Sequence, residues 1–455
     1  MATLEELQQH LADEQIEFVD LRVTDLVGRW RHVTIPADRL DSSLLERGVA
    51  FDASNLGFAA VEGSDMVLRP DPATAAVTLS CGGRVLSMLC DVFVPQTNEP
   101  FPGDPRAVAR RAEAFVAAEG GADAVRMSPE LEFYVFRELQ VEAGPCRSGV
   151  VINPMHPHGD HSFYHVCPPR DRLFALRNEI CRGLIGRGFD VRYHHHEVGA
   201  HGQVEIELGF HGLTDAADAT LIAKDAARCL AADAGWEATF LPKPIHDQNG
   251  SGLHVHQFLE RDGSNLFSAN GELSELALCY IGGLLSHGRS LCALSNPSTN
   301  SYRRLVPGFE APVWFAFGEG NRSAAVRIPR YADGERRRIE LRTADATCNP
   351  YLAFAAMLMA GLDGIARGLN ATDLGLGPFD RDLYRASEES ASPLVAAPRD
   401  LHEALDALEA DHEYLFAGGV FTSPQIEQWV RTKRGEAEQV QHRPHPYEFV
   451  LYHDL

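Results

Sequence analysis

Long apolar runs are missing from this chain. No stretch is long enough to span a bilayer, and the N-terminal MATLEELQQHLADEQIEF has neither the cationic start nor the apolar run of a signal peptide. No G-x-x-x-x-G-K-[ST] loop occurs, which argues against a P-loop cradle for nucleotide phosphates. Positive charge is scarce: 41 Lys and Arg stand against 64 Asp and Glu, a formal charge of -23. That balance speaks against nucleic acid or an anionic membrane as a partner. The nine cysteines include no C-x-x-C pair. An odd, scattered set suits reduced thiols in a cytoplasm rather than a disulfide framework. Internal repeats and low-complexity segments are also absent. What remains is an ordinary globular composition, 45% hydrophobic and 23% charged, in 455 residues, enough for two or three domains and a large core.

Local patterning gives a coarse plan. Thr3 and Glu6 have capping-box spacing ahead of Leu4, Leu7 and Leu11, which predicts a first short helix. FVDLRVTDLVGRWRHVTIP predicts a hairpin, with Val19, Leu21 and Val23 alternating against polar neighbours and Gly28 at the turn. PFPGDP breaks the pattern before the helical RAVARRAEAFVAAEG, so a domain boundary is expected near residue 103, separating 1–103 from 104–455. Strands and long helices fill the chain to about residue 370. A helical tail follows, and the terminal HPHPYEFVLYHDL is expected to be extended.

Residues two apart on a strand share a face. SPELEFYVF sets Glu130 and Glu132 against Leu131 and Phe133. GQVEIEL sets Gln203, Glu205 and Glu207 against Val204, Ile206 and Leu208. GSGLHVHQF sets His254 and His256 against Leu253 and Val255. RRRIELR sets Arg338, Glu340 and Arg342 against Ile339 and Leu341. Any one of these is also what a solvated amphipathic strand looks like. Together, mixing carboxylates, imidazoles and guanidiniums, they point to one shared site. Glu130, Glu132, Glu197, Glu205 and Glu340 with His254 make an oxygen-rich donor set. Two carboxylates ~4 Å apart repel by about 4 kcal/mol at an effective dielectric near 20, and divalent cations offset that repulsion. Such a set suits magnesium or manganese rather than zinc, despite the triplet His194–His196 beside it. His194 and His196 point away from the Glu197 side and are assigned to packing or support. Arg304, Arg322, Arg327, Arg338 and Arg342 supply guanidiniums, which grip phosphates and carboxylates with paired bonds. Beside two metal ions they suggest a nucleoside triphosphate and an anionic co-substrate.

The segments FVDLRVTDLVG, SDMVLRPDPAT, HHHEVGAHGQVE, LPKPIHDQNGSGLHVH, NPSTNSYRRLVPGFEAP, NRSAAVRIP, RRIELR, NPYLAFAAMLMAGLDGI and HPYEFVLY, in this order, resemble the bacterial type I glutamine synthetase family over nearly the whole length. The resemblance implies an α+β protein, with an N-terminal β-grasp domain and a catalytic domain built on an antiparallel sheet. It implies a dodecamer of two hexameric rings whose active sites lie between neighbouring subunits. It implies L-glutamate, ATP and ammonia as substrates and two or more Mg2+ or Mn2+ ions per site. Glu132, Glu197 and Glu205 match the ligands of a first metal, and Glu130, His254 and Glu340 those of a second. Asn249, Gly250, Arg304 and Arg342 match the glutamate-binding set. His256, Arg322, Arg327 and Arg338 match positions that contact ATP or its transferring phosphate. Glu310, between Pro307 and Pro312, matches the flap that shields the intermediate, and Asp52 the residue that deprotonates ammonium.

The acceptor loop departs from the family. The usual Phe-Asp-Gly-Ser-Ser is here FDASN, with Ala53 for the glycine and Asn55 for the second serine. Ammonia is the first expectation; an organic amine, giving a γ-glutamyl amide, is the alternative, and an inactive relative is a remote third. Arg192 and Phe258 stand where the family tends to have an acid and a serine. Tyr384 falls where some members carry an adenylylated tyrosine and is read as an ordinary surface residue.

Overall fold

The computed structural model describes residues 3–58, 63–78, 83–156, 163–385 and 394–455. The predicted first helix spans Leu4–Asp13. Thr3 accepts from the Glu6 amide, and the Glu6 carboxylate accepts from the Thr3 amide, closing the capping box. The predicted hairpin also forms, as Phe18–Thr24 antiparallel to Trp30–Pro36. It belongs to a sheet ordered Trp30–Pro36, Phe18–Thr24, Leu86–Val94, Asp65–Pro70, Val49–Asp52. Phe18–Thr24 runs parallel to Leu86–Val94. This parallel pair inside an otherwise antiparallel sheet, with a helix against it, is a β-grasp arrangement. Val19, Leu21 and Val23 point into its core with Leu7, Leu11 and Met88.

The larger sheet is ordered Val191–His196, Gln203–Leu208, Ala124–Gly144, Leu253–Arg261, Ile339–Leu341, Val326–Ile328, Phe317–Glu319. Its pairings along that path are antiparallel except the last, which is parallel. The four charged-front segments are the four consecutive strands from Gln203–Leu208 to Ile339–Leu341. Their backs, Leu131, Phe133, Val204, Ile206, Leu253, Val255, Ile339 and Leu341, are all buried in one core with the helices Leu213–Asp233 and Pro350–Arg367. Burying a leucine or phenylalanine of this kind contributes roughly 1.5–3 kcal/mol. The apolar face therefore fixes register, and register fixes which charges meet on the other face.

Asn349 caps the helix Pro350–Arg367 by accepting from the Tyr351 amide, and its Nδ2 donates to the Asp25 and Leu26 carbonyls of the N-terminal hairpin. Gly28 turns that hairpin at φ +90°, with the Asn349 Cα 2.9 Å from where a Cβ would sit. A side chain there would collide with the cap. A buried Arg106 adds a second tie, donating to Asp218 at 3.1 and 2.9 Å and to Asp91 at 2.8 Å.

Two expectations need correction. The C-terminal segment is helical over Pro446–Tyr452. His445 accepts from the Tyr447 amide, Pro446 occupies the first helical turn, and Glu448 closes a capping box. The signal was legible as H-P-x-E, and the aromatic and β-branched residues after it obscured it. Cysteines 90, 146, 167, 181, 279, 292 and 348 are free thiols, but Cys229 is disulfide-bonded, so the expected all-thiol set does not hold there. Cys81 lies outside the described residues.

Candidate active site

Strand register brings the charged fronts together. Glu132 lies opposite Glu205, Glu130 opposite Glu207, and His254 opposite Glu130. Glu130, Glu132, Glu205 and His254 meet at a cavity of about 460 Å³. Of the residues singled out in the sequence, Glu130, Glu132, Glu197, Glu205, His254, Asn249, Gly250, Arg304, Glu310, Arg322, Arg327 and Arg342 line it. Glu340, His256 and Arg338 stand directly behind that lining. Asp52 is not part of it: it sits on the β-grasp domain, where its carboxylate accepts from the Ser54 amide at 2.9 Å and from Asn55 Nδ2 at 3.3 Å. The hydrogen bonds from Ser54 and Ser64 hold the Asp52 carboxyl below its ordinary value.

One half of the site carries its own counter-charges. Glu130 accepts from His254 Nδ1 at 3.1 Å and from His256 Nε2 at 2.7 Å. Burial works to raise its pKa, but the two imidazoles hold it well below the ordinary range. Glu340 is fully buried between Arg327, at 2.5 Å, and Arg342. Against the opposing pull of burial, Arg342 and further His256 and Arg327 hold its pKa down to about 2. Arg304 donates to the carbonyls of Thr343, Ala344 and Arg342, which places its guanidinium beside His254. Arg338 Nε lies 3.4 Å from His256 Nδ1, and its guanidinium covers Tyr331. Among the described residues, Arg327 Nε and Arg338 Nη2 are buried with no hydrogen-bond partner. Buried donors left this way favour an anion that would accept from them.

The other half is uncompensated. Burial, with Glu132 and Glu205 nearby, pushes Glu197 well above the usual carboxylate range; burial, with Glu130 and Glu132, does the same to Glu205. Glu132 is oriented by the Gly252 amide at 2.7 Å. Donor atoms of Glu130, His254 and Glu340 lie within 4.8 Å of one another, and so do those of His195, Glu197 and Glu205. The oxygen-rich donors and the raised carboxylates fit hard divalent cations.

Glu310 stands on a tight turn at φ +60° and accepts from Asn249 Nδ2 at 3.2 Å, so this turn closes against the loop that carries Asn249. His194 meets Arg177 and Asn178 of the helix Phe174–Gly186 but also borders the cavity, contrary to the expected turn away from it, whereas His196 is buried against His156 and Phe163. Arg192 pairs with the buried Glu207. His195, whose role the sequence leaves open, faces the cavity. The signal was available: His195 precedes Glu197 by two, the spacing already used for the other strands.

The family model for the glutamine synthetase β-grasp domain matches residues 15–95, and that for the glutamine synthetase catalytic domain matches residues 102–452. The glutamine synthetase of Salmonella typhimurium is 41% identical over 464 residues, covering 98% of both chains. That of Mycolicibacterium smegmatis is 42% identical over 478 residues, covering 100% of this chain and 99% of its own. A cryo-EM structure of Plasmodium falciparum glutamine synthetase superposes with a TM-score of 0.87 at 26% identity, over 99% of both chains. A GmaS/ADP complex superposes with a TM-score of 0.84 at 28% identity, over 100% of both. With both domain models matched in order and full-length relatives above 40% identity, this chain belongs to the glutamine synthetase family.

Proposed function

We propose that this chain is an ATP-dependent ligase that forms L-glutamine from L-glutamate and ammonia, releasing ADP and phosphate. The observation that carries the reading is the convergence of acidic, imidazole and guanidinium groups on one cavity in a chain 41–42% identical, nearly end to end, to proteins named glutamine synthetase. A carboxylate is inert to amines at neutral pH and must first acquire a leaving group. ATP gives its γ-phosphoryl group to the glutamate side chain; the amine then attacks the carbonyl carbon, and phosphate departs with the oxygen it had bonded. Asn249, Gly250, Arg304 and Arg342 hold glutamate. Arg322, Arg327, Arg338 and His256 face the nucleotide phosphates, with the unpartnered Arg327 and Arg338 donors available to them. Glu132, Glu197 and Glu205 hold one divalent cation, Mg2+ or Mn2+, and Glu130, His254 and Glu340 a second; bound there, the ions offset charge on the transferring group. Glu310 keeps water from the acyl phosphate. Asp52, ionised at neutral pH, accepts the proton that ammonium must lose. Because Asp52 lies outside its own chain's cavity, it serves a neighbouring copy's site in a ring assembly, the dodecamer of two hexameric rings that the family pattern implies. The domain boundary is placed near residue 103.

Two observations keep a second acceptor in view. Asn55, in place of the usual serine, hydrogen-bonds Asp52 itself, and the fold also superposes on GmaS. An organic amine giving a γ-glutamyl amide is the second reading. Phosphate release from glutamate and MgATP, measured across a panel of amines, separates the two: ammonia-dependent release is expected. Strong release with an organic amine and none with ammonia overturns the ammonia assignment.

A further inference from the structure

His195 sits on the strand Val191–His196, directly across from Glu205 in antiparallel register, so the two side chains share a face. Its Nε2 lies 3.2 Å from Glu205 Oε1, and its Nδ1 lies 3.8 Å from Glu197 Oε1. Nδ1 is also 3.2 Å from the His196 carbonyl oxygen. A carbonyl can only accept, so Nδ1 carries a proton. Nε2 is thus the ring atom turned to Glu205, and the ligand atoms of His195, Glu197 and Glu205 lie within 4.8 Å of one another, close enough for one cation to draw on all three.

The ring is also held as a ligand needs to be. It packs on His165 at 4.2 Å, lies parallel to Tyr193 at 5.9 Å, and takes Tyr164 edge-on at 5.5 Å. Metal-binding histidines usually donate their second ring N–H to a carbonyl or carboxylate, which fixes tautomer and orientation; His195 does so to His196. Metal–ligand bonds of about 2.0–2.2 Å place adjacent ligand atoms roughly 3 Å apart, close to the spacing between Nε2 and Glu205 Oε1. Imidazole nitrogen is a softer donor than carboxylate oxygen and suits first-row transition ions better than magnesium.

We propose that His195 Nε2 is a metal ligand in the Glu197/Glu205 half of the site, and that it biases that half toward a transition-metal dication over Mg2+. The inference rests on the two-cation reading above and assigns this half a nitrogen donor beyond its carboxylates.

The test loads the full-length protein with Mn2+, without nucleotide, and reads nitrogen couplings by pulsed EPR and Mn2+ affinity by titration. The wild type should show two imidazole couplings, from His254 and His195. His195→Gln should retain one and bind the Mn2+ of the Glu197/Glu205 half about 10-fold or more less tightly, with a much smaller change for Mg2+. His254→Gln should lose the other coupling and keep that of His195, so the proposal stays testable if His195→Gln fails to fold. A coupling pattern unchanged by His195→Gln and abolished by His254→Gln overturns the proposal and leaves the two-cation reading standing. So does Mn2+ affinity unchanged or raised in His195→Gln, the behaviour of an imidazolium that only paired with Glu205. Absence of protein-bound Mn2+ in the wild type overturns the two-cation reading and this inference with it.

Discussion

The two halves of the cavity handle buried negative charge in opposite ways. Glu130 and Glu340 are surrounded by His254, His256, Arg327 and Arg342 and are held below the ordinary carboxylate range. Glu197 and Glu205, a few ångströms away, have His195 beside both, but burial and the surrounding carboxylates push them well above it. The first half is assembled by folding. The second gathers buried like charges whose repulsion a bound cation would offset. Buried charges are tolerated when paired and costly when not, so stability and metal dependence should separate along this line.

The largest effect is expected at Glu340. Replacing it with alanine leaves the Arg327 and Arg342 guanidiniums facing each other in the core without their carboxylate. Removing one partner of a buried ion pair typically costs about 3–5 kcal/mol, and this one serves two arginines. Glu340→Ala should lower unfolding free energy by at least that range in denaturant titration and abolish glutamine formation. A variant that keeps wild-type stability would show that the first half is not held by its ion pairs.

Glu205→Gln should do the reverse to the metal-free protein. It removes one of two mutually repelling buried carboxylates, so the apo form should gain about 1–2 kcal/mol, while the stabilisation the wild type draws from divalent cation is lost. That stabilisation is about 2.7 kcal/mol at a cation concentration 100 times Kd. A loss of apo stability in Glu205→Gln would mean that the second half is already compensated without an ion.

How much of this was legible before the fold was known follows from the same division. Strand alternation identified Glu130, Glu132, Glu205, His254 and Glu340 because a period of two is fixed by backbone geometry, and the apolar backs fix register. What alternation cannot report is which neighbouring strand lies across. The arrangement of Glu340 between Arg327 and Arg342 depends on Val326–Ile328 pairing with Ile339–Leu341, a contact between segments joined by an irregular loop. His195 falls on the Glu197 side by the same alternation, but spacing alone does not separate a ligand from a packed histidine there. Arg106 was missed because its partners Asp71, Asp91 and Asp218 are scattered, and no spacing rule links them.

The halves should also respond to pH with opposite signs. Glu197 and Glu205 have folded pKa values above the unfolded value of about 4.3. The folded state therefore binds protons more readily than the unfolded state. Their contribution favours the metal-free protein below that value and is lost as pH rises through the folded pKa values. Glu340, held at about 2, contributes stability above about pH 4.3, roughly 3 kcal/mol, which is lost as pH falls through about 2. Unfolding free energies measured with and without divalent cation should diverge increasingly as pH rises above about 4.3, since the ion offsets the repulsion that grows as Glu197 and Glu205 ionise. Parallel curves would erase the distinction between the halves.

The smallest expected effect lies at the edge of the compensated half. Tyr384 Oη donates to the Arg322 carbonyl at 2.9 Å, and Arg342 Nε donates to the same oxygen at 3.2 Å. Burial pushes the Tyr384 hydroxyl up to about 12, so it is a neutral donor throughout the working range. Tyr384→Phe deletes one of two bonds to that carbonyl, and Arg342 continues to satisfy the oxygen. The cost should therefore be about 0.5–1 kcal/mol in denaturant unfolding. Because the hydroxyl touches the arginine side of the site and none of Glu132, Glu197 or Glu205, cation affinity should not move. A drop in cation affinity would tie Tyr384 to the uncompensated half and show that the two halves are mechanically coupled through the Arg322 segment.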